Sequence, residues 1–175
     1  MAIGLVGSEM CIRDSYNIPA VTYDLLNNDV LTSASFKPFT IQTSSGSKTF
    51  SYGSLIIPLS IQKKLNSNEL YEKMKSVQKK YNVNIYSVES GLSSSGIDLG
   101  SGYVMPVNKP SAMMLIGTGV RAYEAGEVWH LLDQRVGMPI TKIPMRNFDN
   151  ISMDKYNVLV LVSGDYKLSD SQIQK

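Results

Sequence analysis

The sequence predicts an α/β fold: an open, mostly parallel sheet with flanking helices, truncated at both ends. Three observations carry this expectation. Residues 55–57 (Leu-Ile-Ile) and 112–116 (Ala-Met-Met-Leu-Ile) are continuous apolar runs, as expected of strands buried on both faces. Each run is followed by apolar residues at helical spacing and then by another short apolar segment, the order of a βαβ unit. Glycine, serine, asparagine and proline clusters separate the segments.

Taken in order, residues 16–29 hold Val21, Leu25 and Leu26 near helical spacing and close on Asn27, Asn28 and Asp29, which favour caps and turns. Residues 36–41 read as a strand that Pro38 pushes to a sheet edge. Residues 43–48, Thr-Ser-Ser-Gly-Ser-Lys, read as a loop. A buried strand over 52–59 ends at Pro58. Ser67 then caps a helix to about Tyr81, with Leu70, Met74, Val77 and Tyr81 on one face. Lys73, Lys75, Lys79 and Lys80 fall on its other faces and read as a solvated surface. Residues 83–88 complete a strand–helix–strand unit, whose crossover should be right-handed.

Residues 90–102 are rich in glycine and serine and, with Pro106 and Pro110, mark the clearest boundary. The expected organisation is therefore 1–15, 16–104, a linker over 105–111, and 112–175. In the last part a strand over 112–117 leads into a helix over 123–136, which Gly137 stops. Strands over 140–143 and 158–162 follow. A helical turn near Met153 lies between them, and the tail from Leu168 reads as the start of a helix.

Composition narrows the function classes. The net charge of +2 is too small to argue for nucleic acid or an anionic membrane surface, so neither is an expected partner. No stretch approaches the length of a membrane span. One His and one Cys cannot supply the usual zinc ligand set. Residues 6–14, Val-Gly-Ser-Glu-Met-Cys-Ile-Arg-Asp, resemble a translated transposon-end sequencing adapter. The resemblance implies that residues 1–15, with Cys11, are not native and should pack poorly. A buried Met10 or Ile12 would argue the opposite. Without Arg13, Glu9 and Asp14 the chain keeps 16 basic and 13 acidic side chains.

Gly117-Thr118-Gly119 with Ala122 fits G-x-G-x-x-A between a strand and a helix. Such glycines let backbone amides approach a pyrophosphate, so Gly117 and Gly119 are candidate cofactor contacts. The acidic residue that should follow the second strand is missing, since that region holds Lys142 and Arg146 instead. The competing reading is close packing between strand and helix. Glu127 and His130 form E-x-x-H, but diiron sites need a second copy and further carboxylates. Ser163-Gly164 follows a strand without the G-x-S-x-G elbow. No catalytic residue and no metal ligand is therefore expected here.

Residues 52–164 resemble the carboxyl-terminal region of bacterial zinc-carboxypeptidase-like proteins. The matching residues are Tyr52-Gly53, Gly91-Leu92, residues 96–101, Lys109-Pro110 and, above all, Tyr-Glu-Ala-Gly-Glu-Val-Trp-His-Leu-Leu-Asp at 123–133. Gly137-Met138-Pro139 and residues 156–159 continue the match. In that family a carboxypeptidase A-type domain precedes a flavodoxin-like region similar to class I glutamine amidotransferases. The resemblance implies that zinc and its His-x-x-Glu ligands belong to an upstream peptidase domain. That domain would be the partner of this region, in a secreted or periplasmic parent. It also implies that any amidotransferase-type Cys lies beyond Lys175. The expected function is a non-catalytic accessory region without a cofactor of its own. The alternatives are a stand-alone amidotransferase-like enzyme or sensor, and a nucleotide-binding module.

Overall fold

Leu55, Ile56 and Ile57 are buried on both faces of a strand, β5 (Leu55–Pro58), but the sheet around it is not the one expected. In the computed structural model, which describes residues 9–12 and 16–174, the neighbours of β5 are β1 (Glu9–Ile12) and β2 (Ser33–Ser35), and both run antiparallel to it. β6 (Ile85–Val88) and β8 (Val104–Pro106) complete a five-stranded antiparallel sheet in the order β6-β1-β5-β2-β8. A second antiparallel sheet holds β3 (Phe39–Thr43), β4 (Gly46–Phe50) and β7 (Ser95–Gly96). Only a three-stranded sheet of β9 (Ala112–Ile116), β10 (Ile140–Pro144) and β11 (Val158–Val160) is parallel. The protein is thus a mixed α/β structure. The expected open, mostly parallel, flavodoxin-like and amidotransferase-like sheet is corrected.

The chain divides into two compact units, Met1–Lys109 and Pro110–Lys175. In the first, the strand–helix–strand segment β5, α2 (Ser67–Tyr81) and β6 is present. Its two strands are parallel but not adjacent, because β1 lies between them, antiparallel to both. Periodicity reports burial and not pairing, so the inserted strand left no sign in residues 55–88.

Residues 9–12 also contradict the expectation of poor packing. Met10, Cys11 and Ile12 are fully buried. Met10 and Ile12 face α2 and α1 (Ile18–Asn27), in a cluster with Val21, Leu25, Met74 and Val77. Cys11 faces Phe39, Ile41, Phe50 and Val88. The physical reason is alternation: Met-x-Ile presents two large apolar groups to the helices, each contributing about 2 kcal/mol when buried. The rest of 1–15 lies outside the described residues.

The first unit is therefore three layers, with helices on one face of the five-stranded sheet and the β3–β4 hairpin on the other. The hairpin corrects the loop expected at 43–48. Thr43 pairs with Gly46 across Ser44 and Ser45, and the positive φ (+97°) falls on Gly46, just past the turn, a conformation that glycine adopts without a Cβ penalty. Phe39 and Phe50 stack with ring centroids 5.0 Å apart, and Tyr86 meets Phe50 edge-on at 5.8 Å. Asn66, rather than Ser67, caps α2. Its side chain accepts from the Glu69 amide at 3.0 Å, and the Asn66 amide donates to the Glu69 carboxylate at 2.9 Å.

The two helices are joined by one carboxylate. Asp24 on α1 accepts from Lys73 at 2.5 Å, Lys80 at 2.9 Å and the Tyr81 hydroxyl at 2.9 Å. Two lysines of the expected solvated face thus have a structural task. Burial raises the Asp24 pKa, but the hydrogen bonds from Lys73, Lys80 and Tyr81 outweigh it and bring the pKa to about 2.

In the second unit β9 is central and buried on both sides. Ala112 and Met114 face α3 (Ala122–Trp129), while Met113 and Leu115 face Ile143 and Phe148. The helix expected over 123–136 is α-helical only to Trp129 and continues as a π-helical turn over His130–Arg135. Short 3₁₀ turns at Met145–Asn150 and Met153–Lys155 carry the chain from β10 to β11, on the opposite side of β9. A four-residue helix, α4 (Asp170–Ile173), ends the described chain.

Asp24→Asn should destabilise the protein by about 2 kcal/mol at neutral pH, measured by urea unfolding. The carboxylate's contribution is complete above its unfolded pKa, near 4, and is lost as pH falls toward about 2. The acid limb of the stability–pH curve between those values should therefore be shallower in the variant.

Candidate functional site

In parallel sheets, ligands bind at the carboxyl ends of the strands where successive connections part in opposite directions. In the second unit that place lies beyond β9 and β11. β9 ends in Ile116, and Gly117 turns the chain with φ +102°. The Val120 amide closes the turn on the Gly117 carbonyl at 3.0 Å. Gly119, at φ +87°, leads to Arg121 and the first residue of α3.

The segment after β11 runs back along this turn. Val120 and Gly164 form an antiparallel bridge. The Arg121 amide donates to the Ser163 carbonyl at 3.0 Å, and the Asp165 amide donates to the Gly119 carbonyl at 2.8 Å. A Cβ on Gly119 would stand 2.5 Å from the Asp165 carbonyl oxygen, and one on Gly164 would stand 2.6 Å from the Gly119 oxygen. Both glycines are needed because two backbones touch. Glu124, in the first turn of α3, accepts from the Ser163 amide at 2.8 Å. Hydrogen bonding by Ser163, through its side chain and its amide, holds the Glu124 carboxyl below its ordinary range, and Arg121 adds to the effect.

Gly119 also borders an open depression of about 420 Å³, lined by Thr118, Met145, Asp165, Lys167 and Gln172. Asp165 and Lys167 approach to 3.9 Å with both side chains largely in water, so their attraction is small. Gln172 is engaged, donating to Asp149 at 2.8 Å. The depression thus offers a hydroxyl, a carboxylate and an ammonium group on an open surface.

The sequence candidates fall into different places. Gly117 and Gly119 are in the turn, but the space a pyrophosphate would need over Gly119 is filled by the Asp165 carbonyl oxygen, itself an acceptor. Ser163 lies at the amino end of α3, bound to Glu124, whereas His130 is exposed beyond its carboxyl end. An eight-residue helix, about 12 Å long, separates them, so they form no dyad. Glu127 is exposed like His130. Among the described residues no three His, Cys, Asp or Glu side chains come together, so the donor set does not fit a zinc ion. No described helix is long and apolar enough to cross a membrane. Trp129 packs with Val128 and Leu132 against the sheet, and the Lys142 ammonium lies 4.3 Å from its ring centroid. Glu124, Gly164 and Asp165 were not legible as site residues, because their roles come from a contact across some forty positions.

Comparison of this chain with protein-family models, curated proteins and solved structures finds no match.

Gly119→Ala should cost about 3 kcal/mol, since it combines a left-handed φ with a backbone clash. Gly117→Ala should cost about 1 kcal/mol, because its Cβ would make only an ordinary contact with the Met145 nitrogen at 4.0 Å and the φ penalty alone remains. Urea unfolding followed by circular dichroism separates the two; equal costs would mean that the Asp165 contact is absent in solution.

Proposed function

We propose that this chain is a non-catalytic accessory α/β region of a larger zinc-carboxypeptidase-like protein, whose chemistry belongs to a peptidase domain outside residues 16–175. The observation that carries the proposal is the pairing of the two loops beyond β9 and β11. At the edge where a parallel sheet presents its reactive groups, the Arg121 and Asp165 amides, the Ser163 and Gly119 carbonyls and the Glu124 carboxylate are bonded to one another. The resemblance at residues 123–133 supports the same reading through the tasks of its residues. Ala125, Val128, Trp129 and Leu132 fix the helix on the sheet, and Glu124 holds the returning loop.

The purified chain, supplied with zinc, should release no carboxyl-terminal residue from peptide substrates. Chelator-sensitive release by the chain alone would refute the proposal. Titration with ATP or NAD(H) should give no saturable heat. The source DNA upstream of this chain should encode a peptidase domain with a His-x-x-Glu pair; a frame lacking it would remove the carboxypeptidase parentage.

A further inference from the structure

The gap between β5 and β6 is a strand-shaped slot. The two strands run parallel, about 10 Å apart, which is two strand spacings. They cannot pair with each other at that distance. Their facing amides and carbonyls therefore require an intervening strand, because buried backbone groups left unpaired are costly. In this structure the strand is Glu9–Ile12, antiparallel to both neighbours, with Met10 opposite Ile57 and Ser87, and Ile12 opposite Leu55 and Ile85.

Three of its residues suit the slot. Met10 and Ile12 fill the helix side, and the small Cys11 fits beside Phe39, Phe50 and Ile56 on the other. Burial of Met10 and Ile12 speaks for a native strand. Glu9 speaks the other way. It lies on the same face as Cys11, between Pro58 and Val88, and its Oε2 atom is buried without a hydrogen-bond partner. Burial alone pushes its carboxyl above the ordinary range. Glu9 is half-buried, so one carboxylate oxygen is left out of water without a partner, whereas Val, Leu or Ile would leave no polar atom unpaired there.

We infer that the slot between β5 and β6 is a strand-accepting site and that Glu9–Ile12 is an exchangeable occupant. The site is selective for an extended peptide of the pattern apolar–large apolar–small–large apolar, antiparallel to both edges. Recognition is by main-chain hydrogen bonds on two sides, which any sequence can supply. Specificity comes from the alternating pockets: two on the helix side for large residues, and a shallower one against the hairpin for a small residue.

The full 175-residue chain is its own reporter, because Cys11 is the only cysteine and is buried in the slot. The probe is a synthetic decapeptide with the sequence of residues 5–14, carrying Glu9→Val and Cys11→Ala. It should displace the resident strand and raise the rate at which Ellman's reagent modifies Cys11 by about tenfold, saturably. A scrambled decapeptide should not. Glu9→Val in the chain should slow the peptide-driven exposure about tenfold, because the resident strand then fits as well as its competitor. Glu9→Gln, nearly isosteric and neutral, serves the same comparison if the valine variant does not fold. The inference is overturned by an unchanged Cys11 rate at saturating peptide when urea still exposes the thiol. It is equally overturned if the scrambled peptide does as well, or if the neutral variants exchange as fast as the parent chain.

Discussion

β1 supplies backbone partners to the facing edges of β5 and β6, which cannot reach each other, and the first unit is arranged around that requirement. The α2 crossover carries the chain from β5 to β6 over the width of one strand, which fixes the slot that β1 occupies. The helices then cover one side of the sheet and the β3–β4 hairpin covers the other, so the inserted backbone is sealed from water. Hydrophobic burial holds the layers together, but the pairing requirement decides their order. A strand with poorer side chains can still be held there, because four residues of two-sided main-chain pairing tolerate one misplaced carboxylate.

Segments whose side chains alternate against a core were legible in the sequence. Val21 and Leu25 on α1 and Leu70, Met74 and Val77 on α2 follow from periodicity, and the two-faced burial of β5 and β9 follows from their continuous apolar runs. What failed was everything set by distant backbone. The apolar run at 55–57 has the same composition in a parallel sheet or an antiparallel one, so strand direction was not written in it. β4 and β7 have serine- and glycine-rich sequences that read as loop; their strand geometry is imposed by β3, whose Phe39 and Ile41 supply the burial. β1 lies in a stretch expected to pack poorly, yet the alternation of Met10 and Ile12 buries it in the core.

The second unit shows the same limit on a smaller scale. Its strand–turn–helix order was readable, and so was the need for small residues at Gly117 and Gly119. Their reason was not readable. A glycine that approaches a phosphate and a glycine that approaches another loop look identical in one sequence. The distinction lies in Gly164 and Asp165, and in Glu124, which reaches back to hold the Ser163 amide. The turn is consequently a fastening between β9 and the segment that follows β11.

The chain's single tryptophan, Trp129, sits in the second unit, half-buried on the sheet beneath Lys142. Indole emission from this protein is therefore a label-free signal of one unit only. The aromatic cluster of the first unit, Phe39, Phe50 and Tyr86, is silent at that wavelength. A chain of two compact units need not unfold in a single step. Emission and far-ultraviolet dichroism recorded on the same sample then weigh the two halves differently, and the gap between their midpoints measures how independently the halves melt.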